Sequence, residues 1–144
     1  MTAARRFGAV DGWRPSGPLG SGRTTSRVWL ALGGLNGALA VGVLAATAHG
    51  RIGSRGAELA EIGARFALTH AVVLVALAIA VRIWASRLLD VAAALMVAGC
   101  LLFSGGLYLD AMTGSGAFAV PIGGTCFILG WLSLVGAALR ERTV

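Results

Sequence analysis

No lysine occurs in this chain; all twelve basic residues are arginines, set against six acids for a net charge of +6. Charge of either sign is scarce, at 12% of residues, about half the fraction of a soluble domain. With 57% hydrophobic residues, that scarcity excludes an ordinary water-soluble globule and leaves burial in a bilayer. Cysteine is nearly absent as well. Cys100 and Cys126 both fall inside apolar runs, which excludes a secreted disulfide framework. There is no CxxC pair and no Cys/His cluster with zinc spacing. A basic balance can signal nucleic acid, but these arginines stand at the ends of apolar runs. Charge placed there flanks a membrane, so no nucleic-acid partner is expected.

What is present is a set of apolar runs, organised around the stretch LLFSGGLYLD, a glycine-rich turn and VPIGG, residues 101–124. It reads as the end of one membrane-spanning helix, a tight turn and the start of the next. Four spans are expected, over about 28–48, 66–84, 88–109 and 119–139, each near the ~20 residues a helix needs to cross. The very short turn around residues 85–87 makes the second and third spans antiparallel neighbours. The fold class is therefore an all-α integral membrane protein, with four transmembrane helices in two antiparallel hairpins making up residues 28–144. Residues 57–65 hold good helix formers, and Glu61 with Arg65 has the favourable i,i+4 order, which predicts a short interfacial helix before the second span. Pro121 sits in the first turn of the fourth span, where its missing N–H costs nothing.

Residues 1–27 carry five arginines against one acid and are rich in Gly, Pro and Ser from residue 15 on. They read as a disordered basic cytoplasmic tail, attracted to anionic lipid. Arg5-Arg6-Phe7 hints at a twin-arginine signal, but the apolar run starts some twenty residues too late. Ala46-Thr47-Ala48 resembles a cleavage site, yet the run before it exceeds the ~7–15 residues of a signal peptide's apolar core, so the first span is read as retained. Nine arginines lie in the tail, around the second turn and at the C-terminus, and three in the first loop. The positive-inside rule then places both termini in the cytoplasm and the protein in a bacterial inner membrane.

Small residues dominate the expected helix contacts. Gly33 and Gly37 form a GxxxG pair, and Gly34, Ala38 and Gly42 continue a ridge one position on. With Gly99, Gly105, Gly106, Gly123 and Gly124 they are the expected helix-packing positions, because small residues let backbones approach closely in lipid. Asn36 is the strongly polar side chain of the first span, and a structural hydrogen bond to a neighbouring helix suits it best.

On this topology His49, His70, Tyr108 and Asp110 all approach the outer face, near Glu58, Glu61 and Arg65. His70 lies about five residues inside the second span, roughly 7–8 Å deeper than His49. His49, His70 and Asp110 are candidate metal ligands, weighed against a hydrogen-bonded polar cap in which His70 pairs with a backbone carbonyl or a glutamate. The cap is preferred, so no metal and no cofactor are expected. Cys100 and Cys126 lie at similar depths, ~18 and ~20 Å from the cytoplasmic ends of their helices, and read as small apolar packing groups that can touch. No carboxylate falls at mid-membrane, which argues against a proton-coupled carrier. The FSGG motif lacks the lysine and strand–helix context of a phosphate loop.

Ala48-His49-Gly50, His70-Ala71, LLFSGGLYL at 101–109, and PIGG at 121–124 followed by Gly130-Trp131 together carry a resemblance. Over about residues 28–139 the chain resembles the small bacterial inner-membrane proteins of the domain-of-unknown-function 423 family, which has mitochondrial relatives. The approach to the first histidine, Leu44-Ala45-Ala46-Thr47, departs from that family's glycine- and phenylalanine-rich pattern, and Asp110 stands where relatives are often apolar. The resemblance implies four helices and carries no agreed activity. The functional expectation is a non-enzymatic integral membrane protein, an accessory or structural subunit that contacts the lipid bilayer and other membrane subunits or itself. The alternatives are a small oligomeric transporter or channel, and a metal, haem or quinone site at the outer face.

Overall fold

The computed structural model of the protein describes residues 19–50, 54–84 and 86–140. Helix α1 spans Leu19–Ala48, α2 Ser54–Ile83, α3 Arg87–Gly99, α4 Gly105–Thr113 and α5 Val120–Arg140. A π-helical turn, Cys100–Ser104, joins α3 to α4 without a break, and a 3-10 turn, Ala117–Ala119, leads into α5. Four of the resulting rods are long and apolar enough to cross a membrane: Thr24–Ala48, Arg55–Ile83, Arg87–Thr113 and Ala117–Arg140.

The rods are longer than the apolar runs alone suggest. α1 begins at Leu19, so residues 19–27 are helical where the sequence reads as tail. Tertiary contact explains the extension: Ser26 is buried, and its hydroxyl donates to the Ala78 carbonyl of α2 at 2.7 Å. Residues 1–18 of the expected tail lie outside the described residues. Likewise, residues 57–65 form no separate interfacial helix but the first turns of α2. Glu61 and Arg65 do pair there, on an exposed face. The turn expected from Asp110 starts later, because α4 continues to Thr113 and ends on Gly114, at φ 73°. Only a residue tolerant of that left-handed conformation closes the helix here, with the Gly114 N–H on the Asp110 carbonyl at 2.9 Å.

Contacts between α1 and α2 run in opposite register. Ser26 meets Ala78, Gly33 faces Leu74 and Ala71, and Asn36 reaches Ala67. The α3–α4 rod and α5 are paired in the same sense: Met96 lies at Gly130, Gly99 at Phe127 and Phe103 at Gly123. α2 and the α3–α4 rod form the inner pair and are more deeply buried than the α1 and α5 rods. The core follows this geometry, running from Leu77 and Leu89 through Ala92, Ala93 and Met96 to Cys100 and Phe127. Large apolar side chains such as Leu35, Val72, Leu101 and Leu132 point outward. In water such a surface would promote association; in a bilayer it is the solvated face.

Interior packing of this kind gains little from hydrophobicity once the helices are in lipid, so close contact and hydrogen bonds hold it. The glycines divide accordingly. A Cβ on Gly33 would stand 3.1 Å from both the Ala71 carbonyl and Leu74, and one on Gly37 would touch Ala71 at 3.5 Å. At Gly123 it would strike the backbone of Phe103, and at Gly106 it would lie 3.1 Å from the Gly116 carbonyl. Gly124 has only Phe103 nearby, and Gly105 only the Cys100 carbonyl at 4.0 Å. Gly34 and Gly42 meet nothing within 4 Å. One ridge of α1 is therefore spent on α2, and the other faces outward.

Candidate functional site: an aromatic and polar layer at mid-bundle

The π turn sits near the middle of its rod, and four helices meet around it. The Gly105 N–H bonds to the Cys100 carbonyl, five residues back, which is the widened spacing that defines the turn. Asn36 of α1 faces it. Its amide donates to the Ala67 carbonyl of α2 at 2.7 Å and to Cys100 Sγ at 3.2 Å. Asn36 is thus the partner of the buried Cys100 thiol, and both cysteines are free. Bonds of this kind between helices contribute about 0.6 kcal/mol on average and up to ~1.7.

On the other side of the turn the rings collect. Phe103 lies on Phe66 with ring centroids 4.5 Å apart, and Phe127 stacks on His70 at 3.6 Å with the planes only 13° apart. Trp131 meets His70 edge-on at 6.4 Å. Two glycines make room: a Cβ on Gly99 would collide with the Phe127 ring, and one on Gly123 with the Phe103 backbone. The layer thus depends on glycines at fixed heights on two facing helices.

His70 does not lie near the end of its span, as the sequence suggests. α2 begins at Ser54, so His70 is close to the midpoint of the Arg55–Ile83 rod, level with Phe127 and Gly99. Its Nδ1 lies 2.8 Å from the Phe66 carbonyl. A carbonyl only accepts, so Nδ1 carries the proton, and in the uncharged ring Nε2 holds the lone pair. Nε2 is buried and has no hydrogen-bond partner among the described residues. The Ser104 and Tyr108 hydroxyls, one turn apart where α4 crosses Gly63, are buried and unpartnered in the same way. An unsatisfied buried polar atom costs about 1–3 kcal/mol. The side-chain hydroxyls of Thr69, Thr113, Thr125 and Ser133 avoid that cost by bonding the carbonyl four residues back.

The other expected site residues lie at helix ends and on exposed turns. His49 is exposed at the end of α1. Asp110 uses Oδ1 to accept the Gly116 N–H at 3.2 Å, closing the turn after α4. Glu58 and Glu61 lie on the early turns of α2. Among the described residues no three His, Cys, Asp or Glu side chains come together as a metal would require. His70 is thus placed among aromatic rings, and Asp110 at the turn after α4. Sequence reasoning passed over the π turn, Gly63 and the ring cluster. The available signal was Phe103 and Phe127 on helices whose partners carry Gly123 and Gly99.

Beside His70 a cleft of about 470 Å³ opens between α2 and α5, walled by Phe66, Phe127, Trp131, Pro121 and Thr125. A second, of about 670 Å³, continues past Trp131 toward Trp84, lined by Val72, Ala76, Leu89 and Leu134. Thr125 spends its hydroxyl on the Pro121 carbonyl at 3.0 Å, whereas His70 Nε2 has no hydrogen-bond partner among the described residues.

Four apolar rods, glycine-seated helix contacts and a polar layer held inside them define a small multi-pass membrane protein. Residues 37–124 match the family described as "Protein of unknown function (DUF423)", and the chain belongs to that family. It is 33% identical to the UPF0382 membrane protein YwdK of Bacillus subtilis over 79% of this chain and 98% of the relative. A UPF0382 membrane protein of Haemophilus influenzae is 27% identical over 81% of this chain and 97% of its own length. SERP0230 of Staphylococcus epidermidis, also a UPF0382 membrane protein, is 34% identical over 79% and 97%. No solved structure matches the chain.

Proposed function

We propose that this protein is a non-enzymatic accessory or structural subunit of a larger membrane complex. The observation that carries the reading is the outward ridge of α1. Gly33 and Gly37 are occupied by α2, whereas a Cβ on Gly34 or Gly42 would meet nothing within 4 Å, and the exposed Ala38 lies between them. Exposed Leu35, Leu39 and Val41 flank this groove. A groove floored by small residues and walled by leucine and valine accepts a transmembrane helix at close range. The occupant proposed is a helix of a different subunit.

The arginine distribution supports an inner-membrane location with both termini cytoplasmic, which leaves the ridge facing lipid and open to a neighbour. Purification from native membranes in mild detergent tests the reading. The wild type should migrate with a stoichiometric companion, and Gly34→Leu with Gly42→Leu should release it while the chain itself stays folded. Migration of the wild type as a lone monomer would contradict the proposal.

A further inference from the structure

The seam between α2 and α5 carries an inference independent of the α1 ridge. His70 is 5% exposed and forms part of the wall of the 470 Å³ cleft. Its Nδ1 is committed to the Phe66 carbonyl, so Nε2 can only accept. An intramembrane histidine with an unspent lone pair beside a cavity is a binding group in search of a donor. Phe66, Phe127 and Trp131 give the cleft flat aromatic walls, which suit a planar ring. The adjoining 670 Å³ groove is apolar and shares Trp131 with the first cleft. From Trp131 to Ala138 it runs about 10 Å along α5, at 1.5 Å per residue. Both openings are bordered by side chains that face lipid, among them Val72 and Ile128.

We propose that this seam binds one lipid-soluble molecule with a hydroxylated aromatic ring, of the phenol or quinol class, carrying an apolar tail. Nε2 is closed off in this structure, so binding opens the wall at His70: the ring lies in the cleft with its hydroxyl donating to Nε2, and the tail follows the groove from Trp131 toward Trp84. A metal centre fits less well, because no second ligating side chain joins His70 in a cluster of three among the described residues. Volumes of this size are ordinary for small-molecule sites, which run about 300–1,000 Å³.

The test uses the full chain in nanodiscs and tritiated decylhydroquinone under argon, with empty nanodiscs subtracted. Saturable binding of one molecule per chain is expected. The dimethyl ether of the same compound, which keeps ring and tail but cannot donate, should fail to compete. His70→Phe, which keeps the stack and removes the acceptor, should weaken binding at least tenfold, while His49→Phe leaves it unchanged. Absence of saturable binding to the wild type would overturn the proposal. So would equal competition by the ether, a measurement that needs no variant to fold. Unchanged binding to a folded His70→Phe variant would do the same.

Discussion

Phe127 lies flat against His70, ring centroids 3.6 Å apart, in a space that exists because residue 99 on the facing helix has no side chain. The relationship ties three rods together at one height: α2 supplies the imidazole, α5 the ring and α3 the gap. It also fixes the depth of His70, at the level where the π turn begins.

Substitutions at the glycines should separate by position. Gly99→Val and Gly123→Val force a ring or a backbone aside and should cost about 1–3 kcal/mol each, the usual range for overpacking. Gly105→Ala, with nothing nearer than 4.0 Å, should be close to neutral. Unfolding in mixed micelles measures the order. Equal sensitivity at all three positions would contradict the packing described.

Asn36 should behave as an interhelical tie. Asn36→Leu removes the donor to both the Ala67 carbonyl and Cys100 Sγ and should destabilise the bundle by about 0.6–1.7 kcal/mol. A double-mutant cycle with Cys100→Ala checks the pairing: the two losses should sum to more than that of the double variant. Simple additivity would show that the amide–thiol contact contributes nothing.

Topology can be read by labelling. With Cys100 and Cys126 replaced, a cysteine at Ser115, exposed in the turn after α4, should react in intact cells with a membrane-impermeant maleimide. A cysteine at Ser21 should react only after the membrane is opened. The opposite pattern would invert the orientation inferred from the arginines.

The span count was legible from composition, because apolar runs of this length have no other use in so weakly charged a chain. Helix ends were less so. Residues 19–27 look like tail by composition, and a long-range bond from Ser26 to Ala78 ties the extra turns to α2. His70 reads as close to a span end because Glu58, Glu61 and Arg65 suggest an interfacial segment, yet one unbroken helix carries them and the histidine. The π turn leaves no local signature in Cys100-Leu101-Leu102-Phe103-Ser104. It is faced by Asn36 on one side and Gly123 on the other. The GxxxG pair could be located from sequence, but which α1 ridge faces α2 could not, because the two ridges differ by one residue.

The outward ridge of α1 is the centre of the account, and crosslinking within the membrane tests it most directly. A photoreactive amino acid at Ala38, between Gly34 and Gly42, should give a discrete product with one other membrane protein, and that product should vanish in the Gly34→Leu background. The same reagent at Leu132, exposed on α5, should label only lipid. Lipid adducts alone from Ala38, or a product of the chain with itself, would contradict the assignment of this protein as a subunit of a larger complex.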